Sequence, residues 1–255
     1  MSKIIALSGK KQAGKNTVAN QIIGTELTSL GIVRGQATMG DNGQIWITDL
    51  FGDNKFEGYF DIQRQNEAMI RFRAENIDPY IKLYSFADCL KKNVCMDILG
   101  LTYEQCYGTD EQKNAPTHLL WENMPEVDHE TGPMTAREVM QYVGTEIFRK
   151  MYGNVWVDST IRRIKQDNPR IAIICDCRFP NEVTGVQEAG GKVLRLTRDI
   201  YAGKDQHDSE TALDPDKFDW TKFDAIVDNS EIGVTEQCGV IHPILQEWGI
   251  IYEEN

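Results

Sequence analysis

Gly9 and Gly14 stand five residues apart, and Lys15 follows the second glycine. Lys10, Lys11, Gln12 and Ala13 lie between them; Asn16 and Thr17 come after. This is the G-x-x-x-x-G-K spacing of a phosphate cradle. Glycines at both ends let backbone N–H groups converge on an anion, and the positive end of a following helix adds to them. Lys15 is the side chain expected to reach the outer phosphates of a bound nucleotide. The expected phosphate-binding set is therefore Gly9, Lys10, Lys11, Ala13, Gly14, Lys15, Asn16 and Thr17. One residue is off pattern. The hydroxyl comes a step late, at Thr17, because Asn16 occupies the usual position.

A second group lies at Asp176-Cys-Arg178-Phe-Pro-Asn-Glu182, directly after the apolar run Ile171–Cys175. In open α/β sheets, ligands bind beyond the carboxyl ends of strands. Asp176 stands where a carboxylate helps to position a metal ion beside a phosphate loop. Arg178 offers a planar fork suited to a phosphate. Glu182 opens the next helix. The plainer alternative is a polar strand-to-helix turn, with Asp176 as a cap and Arg178 paired to it. The phosphate loop tips the balance toward a site built from two strand ends. Of the other basic residues, Arg137, Arg149, Arg162, Arg163 and Arg195 could complete a phosphate pocket, although most surface arginines are simply solvated. Arg198 stands out, because it leaves a strand on its carboxyl side before the polar stretch Asp199–Glu210, which is suited to a lid. His207-Asp-Ser-Glu210, within that stretch, reads as an ordinary loop without a catalytic triad. Trp156, at the start of a helix, suits either stacking on a base or core packing.

These groups need strands that end together and helices that begin there. Five short apolar runs qualify: Lys3–Ser8, Ile81–Phe86, Arg170–Cys175, Lys192–Thr197 and Ala225–Asp228. Helical spacing is read over Val18–Leu30, Ala87–Leu99, Thr135–Met151, Val155–Gln166, Glu182–Ala189 and Gly233–Glu247. Thr135 with Glu138 three residues on forms a capping-box pattern. Alternating strands and helices imply an α/β fold of three layers, a mainly parallel five-stranded sheet with helices on both faces. Two stretches break the rhythm. Gly31–Pro79 reads as a hairpin-like insertion, with strand pieces Gln44–Thr48 and Phe56–Phe60 and then a helix over Glu67–Glu75. Gly100–Pro133 reads as a long, turn-rich loop of the kind that serves as a lid or binding segment.

The chain has 255 residues, enough for one large domain, and 41% of them are hydrophobic. Its formal charge of −12 argues against a nucleic-acid partner, which needs a basic face. A single nucleotide needs only a local positive pocket. No apolar run approaches membrane-spanning length, and Lys10, Lys11 and Lys15 interrupt any leader, so no membrane partner and a cytoplasmic location are expected. The six cysteines form no C-x-x-C pair, which favours reduced thiols over a zinc site.

Taken together, the motifs resemble the bacteriophage-type deoxynucleoside monophosphate kinases, a branch of the phosphate-loop kinases. The resemblance is carried by Gly9–Thr17, Ser85-Phe-Ala-Asp-Cys-Leu-Lys91, Thr135-Ala-Arg137 through Gly144-Thr-Glu146, Asp176–Glu182 and His207-x-Ser-Glu210. It covers most of the chain and is silent over residues 31–80. It implies a phosphate-loop kinase fold in a single domain over 1–255, with the insertion at about 31–80 and a lid at about 199–215. It implies transfer of a phosphoryl group from ATP to a deoxynucleotide, giving a diphosphate, with Mg²⁺ as cofactor. Lys15, Arg178 and Asp176 then become catalytic. Arg198 joins the ATP site, Arg137, Trp156, Asp176, Arg178 and Glu182 form the acceptor pocket, and Thr17 and Asp176 serve the metal. For a phage protein the location becomes the host cytoplasm. A homodimer contact is a role open to the insertion, although no residue pattern carries it. The nearest rivals change the acceptor, as in phosphomevalonate kinase of the animal type or dephospho-coenzyme A kinase. A rival of another class is a nucleotide-binding regulator without kinase activity.

Overall fold

The computed structural model describes residues 2–50, 57–125, 131–200 and 208–251. In chain order the strands are β1 (Lys3–Ser8), β2 (Ala37–Met39), β3 (Ile45–Thr48), β4 (Glu57–Phe60), β5 (Ile81–Tyr84), β6 (Pro116–Leu120), β7 (Pro133–Thr135), β8 (Ile171–Cys177), β9 (Lys192–Leu196) and β10 (Ala225–Val227). The α-helices are α1 (Lys15–Ser29), α2 (Glu67–Asn76), α3 (Tyr103–Tyr107), α4 (Asp110–Lys113), α5 (Ala136–Gln141), α6 (Val155–Asp167), α7 (Pro180–Glu188), α8 (Asp208–Thr211) and α9 (Val234–Glu247). The chain divides into two compact units, Met1–Ser85 with Ile161–Asn255, and Phe86–Thr160.

In the first unit the five expected runs form one sheet in the order β10-β9-β1-β8-β5, with every pairing parallel. The period of two along each strand explains why they read as continuous apolar runs. Ile5, Leu7, Ile173, Leu194 and Leu196 pack in one core with Val18 and Ile22 of α1 and Ile241 and Leu245 of α9. The alternate residues Ile4, Ala6, Ala172, Ile174 and Val193 are buried as well. Helix α7 covers that side: a Cβ at Gly191 would lie 2.8 Å from Val186 and 2.9 Å from Ile4. The fold is thus an α/β phosphate-loop kinase fold with helices on both faces of a parallel sheet. Strand β8 runs two residues past the expected Cys175 end, because Ser8 of β1 still pairs with Cys177. Asp176 therefore belongs to the strand itself.

The insertion is larger than a hairpin. Strands β2, β3 and β4 form a three-stranded antiparallel sheet, followed by α2. At three residues, β2 is too short to show alternation. Phe56, placed at the start of the expected second strand piece, lies outside the described residues. Ile45, Ile47 and Phe60 join the core around α1. Gly24 of α1 faces this sheet, where a Cβ would make ordinary contact with Ala37 and Ile45 at 3.6 Å each.

The second unit departs from the sequence reading in two places. The stretch from Gly100 to Pro133 is more ordered than a loop. Helices α3 and α4 each carry a full capping box, Thr102 with Gln105 and Thr109 with Gln112, and β6 pairs with β7. Short helices with no long apolar stripe leave little periodicity to read. The two expected long helices also widen into π-helical turns at Leu90–Met96 and Tyr142–Arg149. A hydrogen bond five residues back, as from Asp97 N to Lys92 O, turns later side chains off a 3.6-residue stripe. Ile98 and Met151, expected on the buried stripe, are consequently 74% and 77% exposed. The capping box at Thr135 forms as expected, with Thr135 N donating to Glu138 Oε2 at 2.8 Å.

Of the lid expected at about 199–215, residues 201–207, including His207, lie outside the described residues. Among the described residues no helix is long and apolar enough to cross a membrane.

Candidate active site

Strand β1 ends between β8 and β9. Strands β8 and β5 lie to one side of it, β9 and β10 to the other. An open parallel sheet leaves a crevice beyond its carboxyl edge at such a point. The Gly9–Gly14 loop starts there. Gly14 has φ of 95°, a left-handed value that favours glycine, and α1 begins at the next residue.

Lys15 Nζ folds back over the loop and donates to Gly9 O at 2.8 Å and Lys10 O at 2.6 Å. Burial, and next the charge of Arg178, pull its pKa down to about 8. Glu210 and Asp176 act in the opposite sense, and Arg195 lowers it further. Five charged side chains from four segments thus sense one another around one amine. A partly desolvated lysine beside further cations is a site waiting for negative charge.

Two buried amides hold the loop. Asn229 Nδ2 donates to Ala13 O and to Gln237 Oε1, both at 2.7 Å, and Gln237 Nε2 donates to Gly14 O at 3.3 Å. Asn229 is fully buried and Gln237 nearly so. A Cβ at Gly14 would lie 2.8 Å from Gln237 Oε1, so the amide also excludes a side chain there. Arg198 joins the same cluster. Its N–H donates to Asn229 Oδ1 (2.9 Å), its Nε to Asn229 O (2.9 Å) and its guanidinium to Ile232 O (2.5 Å).

Of the remaining loop residues, Lys10 turns to α8 and the segment after it, bonding Glu210 O at 2.5 Å and pairing with Asp214. Lys11 is partly buried and Asn16 exposed. Thr17 faces the turn between β2 and β3, where a Cβ on Gly43 would lie 2.4 Å from its hydroxyl.

On the neighbouring strand, Asp176 Oδ2 accepts from Ser85 Oγ at 2.5 Å. The Arg178 guanidinium pairs with the Glu210 carboxylate. Glu182 is buried, and its Oε2 accepts from the Arg178 and Phe179 N–H groups at 2.7 and 3.1 Å. It closes the α7 N-terminus and so fixes the backbone that carries Arg178, a structural use that the acceptor-pocket expectation did not foresee.

In the second unit, Arg137 donates to Asp110 Oδ1 at 2.8 Å and to Asn114 Oδ1 at 2.9 Å. The pair is 36% and 54% exposed, so breaking it costs no more than about 1 kcal/mol. Trp156 is different. It is 4% exposed, donates Nε1 to Gly144 O at 3.1 Å and packs on Phe148. Both its apolar body and its single donor are satisfied inside this unit, as the core-packing reading requires.

Sequence reasoning passed over Asn229, Gln237 and Asp214; it noted Arg195 without singling it out, and it met Ser85 and Glu210 only within the motifs that carry the resemblance. Arg195 is buried on β9, donates to Ser8 Oγ at 3.0 Å and stacks near Trp220 and Phe223. Asn229 did carry a usable signal: it follows the carboxyl end of a strand, where ligands bind.

A crevice, glycine loop and buffered lysine of this kind define the phosphate-loop kinases as a class. A family model described as deoxynucleotide monophosphate kinase matches residues 47–232. Over 141 residues the chain is 34% identical to a protein of Acanthamoeba polyphaga mimivirus named "Putative deoxynucleotide monophosphate kinase", covering 51% of this chain and 67% of that one. Over 68 residues it is 34% identical to the "Deoxynucleoside-5'-monophosphate kinase" of Escherichia phage T5, covering 26% of this chain and 24% of that one. The chain belongs to the deoxynucleotide monophosphate kinase family, and it is a kinase. The family match begins after the phosphate loop, so the reading of Gly9–Thr17 rests on the loop's own geometry.

Proposed function

We propose that this enzyme transfers the γ-phosphoryl group of ATP to the 5′-phosphate of a deoxynucleoside monophosphate. An oxygen of the acceptor phosphate attacks the γ-phosphorus in line, the bond to the bridging oxygen of ADP breaks, and a deoxynucleoside diphosphate and ADP leave. The observation that carries this reading is the convergence of Lys15, Asp176 and Arg178 at the sheet's switch point. Two polyanions must be brought together, so charge neutralisation and positioning do most of the catalytic work.

Gly9, Lys10, Lys11, Ala13, Gly14, Asn16 and Thr17 form the ATP phosphate site. Lys15 leaves the loop carbonyls for the transferred group, and incoming phosphate raises its pKa again. Arg178 exchanges Glu210 for the acceptor phosphate. Arg137 contributes to the acceptor side, and Arg198 orders the ATP side through the 229–232 segment. The donor set fits Mg²⁺: it keeps several waters and takes one or two carboxylates plus substrate phosphates, which matches a lone Asp176 rather than a cage. Asp176 and the Thr17 hydroxyl would hold it, and it would offset charge between the β- and γ-phosphates. The whole chain then acts as one catalytic module, with residues 31–80 inserted and 199–215 as lid. Its viral relatives suggest work in the host cytoplasm.

A coupled ADP-release assay with dGMP, dTMP, dCMP and phosphomevalonate tests this reading. Turnover of at least one deoxynucleotide is expected. Turnover of phosphomevalonate alone, or of none, overturns it.

A further inference from the structure

The turn between β2 and β3 brings Gly43 against Thr17 in the first turn of α1. The turn between β2 and β3 is tight: Gly40 N donates to Gln44 O at 2.9 Å and Gly43 N to Gly40 O at 2.8 Å. Gly43 sits at φ 74°, in the left-handed region. Its carbonyl accepts from Asn20 Nδ2 at 2.8 Å, which ties the turn to α1. Asn20 is three residues beyond Thr17, on the same face of the helix. A Cβ at position 43 would lie 2.4 Å from Thr17 Oγ1 and 3.4 Å from Thr17 Cβ. The turn thus lies against the one hydroxyl between Gly9 and Val18. Behind it, Ile45 and Ile47 are buried in the same core as Val18 and Ile22, so the turn is backed by a packed sheet.

We propose that the inserted sheet is a positioning device for the phosphate site, with Gly43 setting the rotamer of Thr17. The proposal rests on the reading that the Thr17 hydroxyl serves the Mg²⁺–nucleotide. Threonine is stiff at χ1 and has two main choices in a helix. The bare Cα at Gly43 permits the choice in which the hydroxyl faces the turn; a methyl there forces the other. Gly43 is a positioning residue and touches no reacting atom.

The test is a double-mutant cycle read as the Mg²⁺ concentration that half-saturates binding of a non-hydrolysable ATP analogue in calorimetry, beside the Mg²⁺ concentration for half-maximal rate, kcat and KM for ATP. Gly43→Ala is expected to raise the Mg²⁺ requirement about tenfold. Thr17→Ala raises it as well, and the double variant is no worse than Thr17→Ala alone. Thr17→Ser, freer at χ1, recovers part of the loss in the Gly43→Ala background. Gly31→Ala is the control. Gly31 also has φ of 68°, but among the described residues nothing lies within 4 Å of the added methyl, so it carries the backbone strain without the contact. It is expected to lower Tm as Gly43→Ala does and to leave the Mg²⁺ requirement unchanged. Should Gly43→Ala not fold, Asn20→Ala frees the turn from α1 and is expected to raise the requirement about threefold. A normal Mg²⁺ requirement in Gly43→Ala beside an impaired Thr17→Ala overturns the role of the turn. So does an additive double variant. A normal Thr17→Ala removes the hydroxyl's role in the phosphate site and the proposal with it.

Discussion

Lys15 and Arg137 are both cations assigned to phosphates, and their surroundings are opposite. Lys15 is partly buried, depressed in pKa and bonded to backbone carbonyls of its own loop. Arg137 is half-exposed and paired with a half-exposed aspartate in the second unit. The first arrangement is electrostatically expensive and makes sense only if negative charge arrives. The second is cheap and serves equally well as a surface pair. Buried, strained charge is therefore better evidence of function than a conspicuous arginine on a helix.

This contrast can be broken by experiment. Lys15→Ala is expected to lower kcat on the order of 10³-fold and Arg178→Ala about 10²-fold, with far-UV circular dichroism unchanged. Normal transfer by Arg178→Ala would remove the acceptor assignment. The pH profile comes next. Lys15 must be protonated to bind phosphate, so kcat/KM for ATP should be level at lower pH. It should fall about tenfold per pH unit once pH rises through about 8. Bound nucleotide raises the lysine pKa, so kcat should fall only at higher pH. A profile flat to pH 10 would show that the amine is not the group in play.

Asn229→Ala tests the support of the loop. It leaves Ala13 O and the Arg198 N–H without their buried partner, for a loss of about 1–3 kcal/mol in chemical denaturation and a raised KM for ATP. Arg137→Ala should raise the acceptor KM about tenfold and change stability by less than about 1 kcal/mol. An unchanged KM would leave its pair with Asp110 as a surface feature. The smallest effect is expected of Trp156→Phe, which loses one buried hydrogen bond to Gly144 O. About 1 kcal/mol of stability should go and the acceptor KM should hold. A raised KM would return Trp156 to the acceptor pocket.

The legible parts of the molecule share a feature. The phosphate loop, the five parallel strands and the Thr135 cap all depend on neighbours a few residues away, through glycine spacing, apolar runs and capping pairs. Strand β2, the π-helical turns and the burial of Trp156 rest on contacts that no apolar period marks: β2 pairs with β3, a π turn bonds five residues back, and Trp156 packs on Phe148 and donates to Gly144 O. Glu182 shows both sides. Its place three residues after Phe179 is a local capping pattern, while its use for holding Arg178 emerges only when the strand end is seen. Asn229 and Gln237 meet the phosphate loop from 216 and 223 residues away, and no spacing rule connects them.

By itself the amino-acid order determined that a phosphate loop follows the first strand, that the main sheet is parallel and that Asp176 and Arg178 leave a strand together. These follow from backbone sterics and hydrophobic period, which act over short range, although the strand itself runs on through Asp176 to Cys177. Only the tertiary structure decided that Lys15 is desolvated among Arg178, Arg195, Asp176 and Glu210, that two buried amides hold the loop, and that Gly43 lies against Thr17. Burial and electrostatics are set by everything within a few ångströms, whatever its distance along the chain.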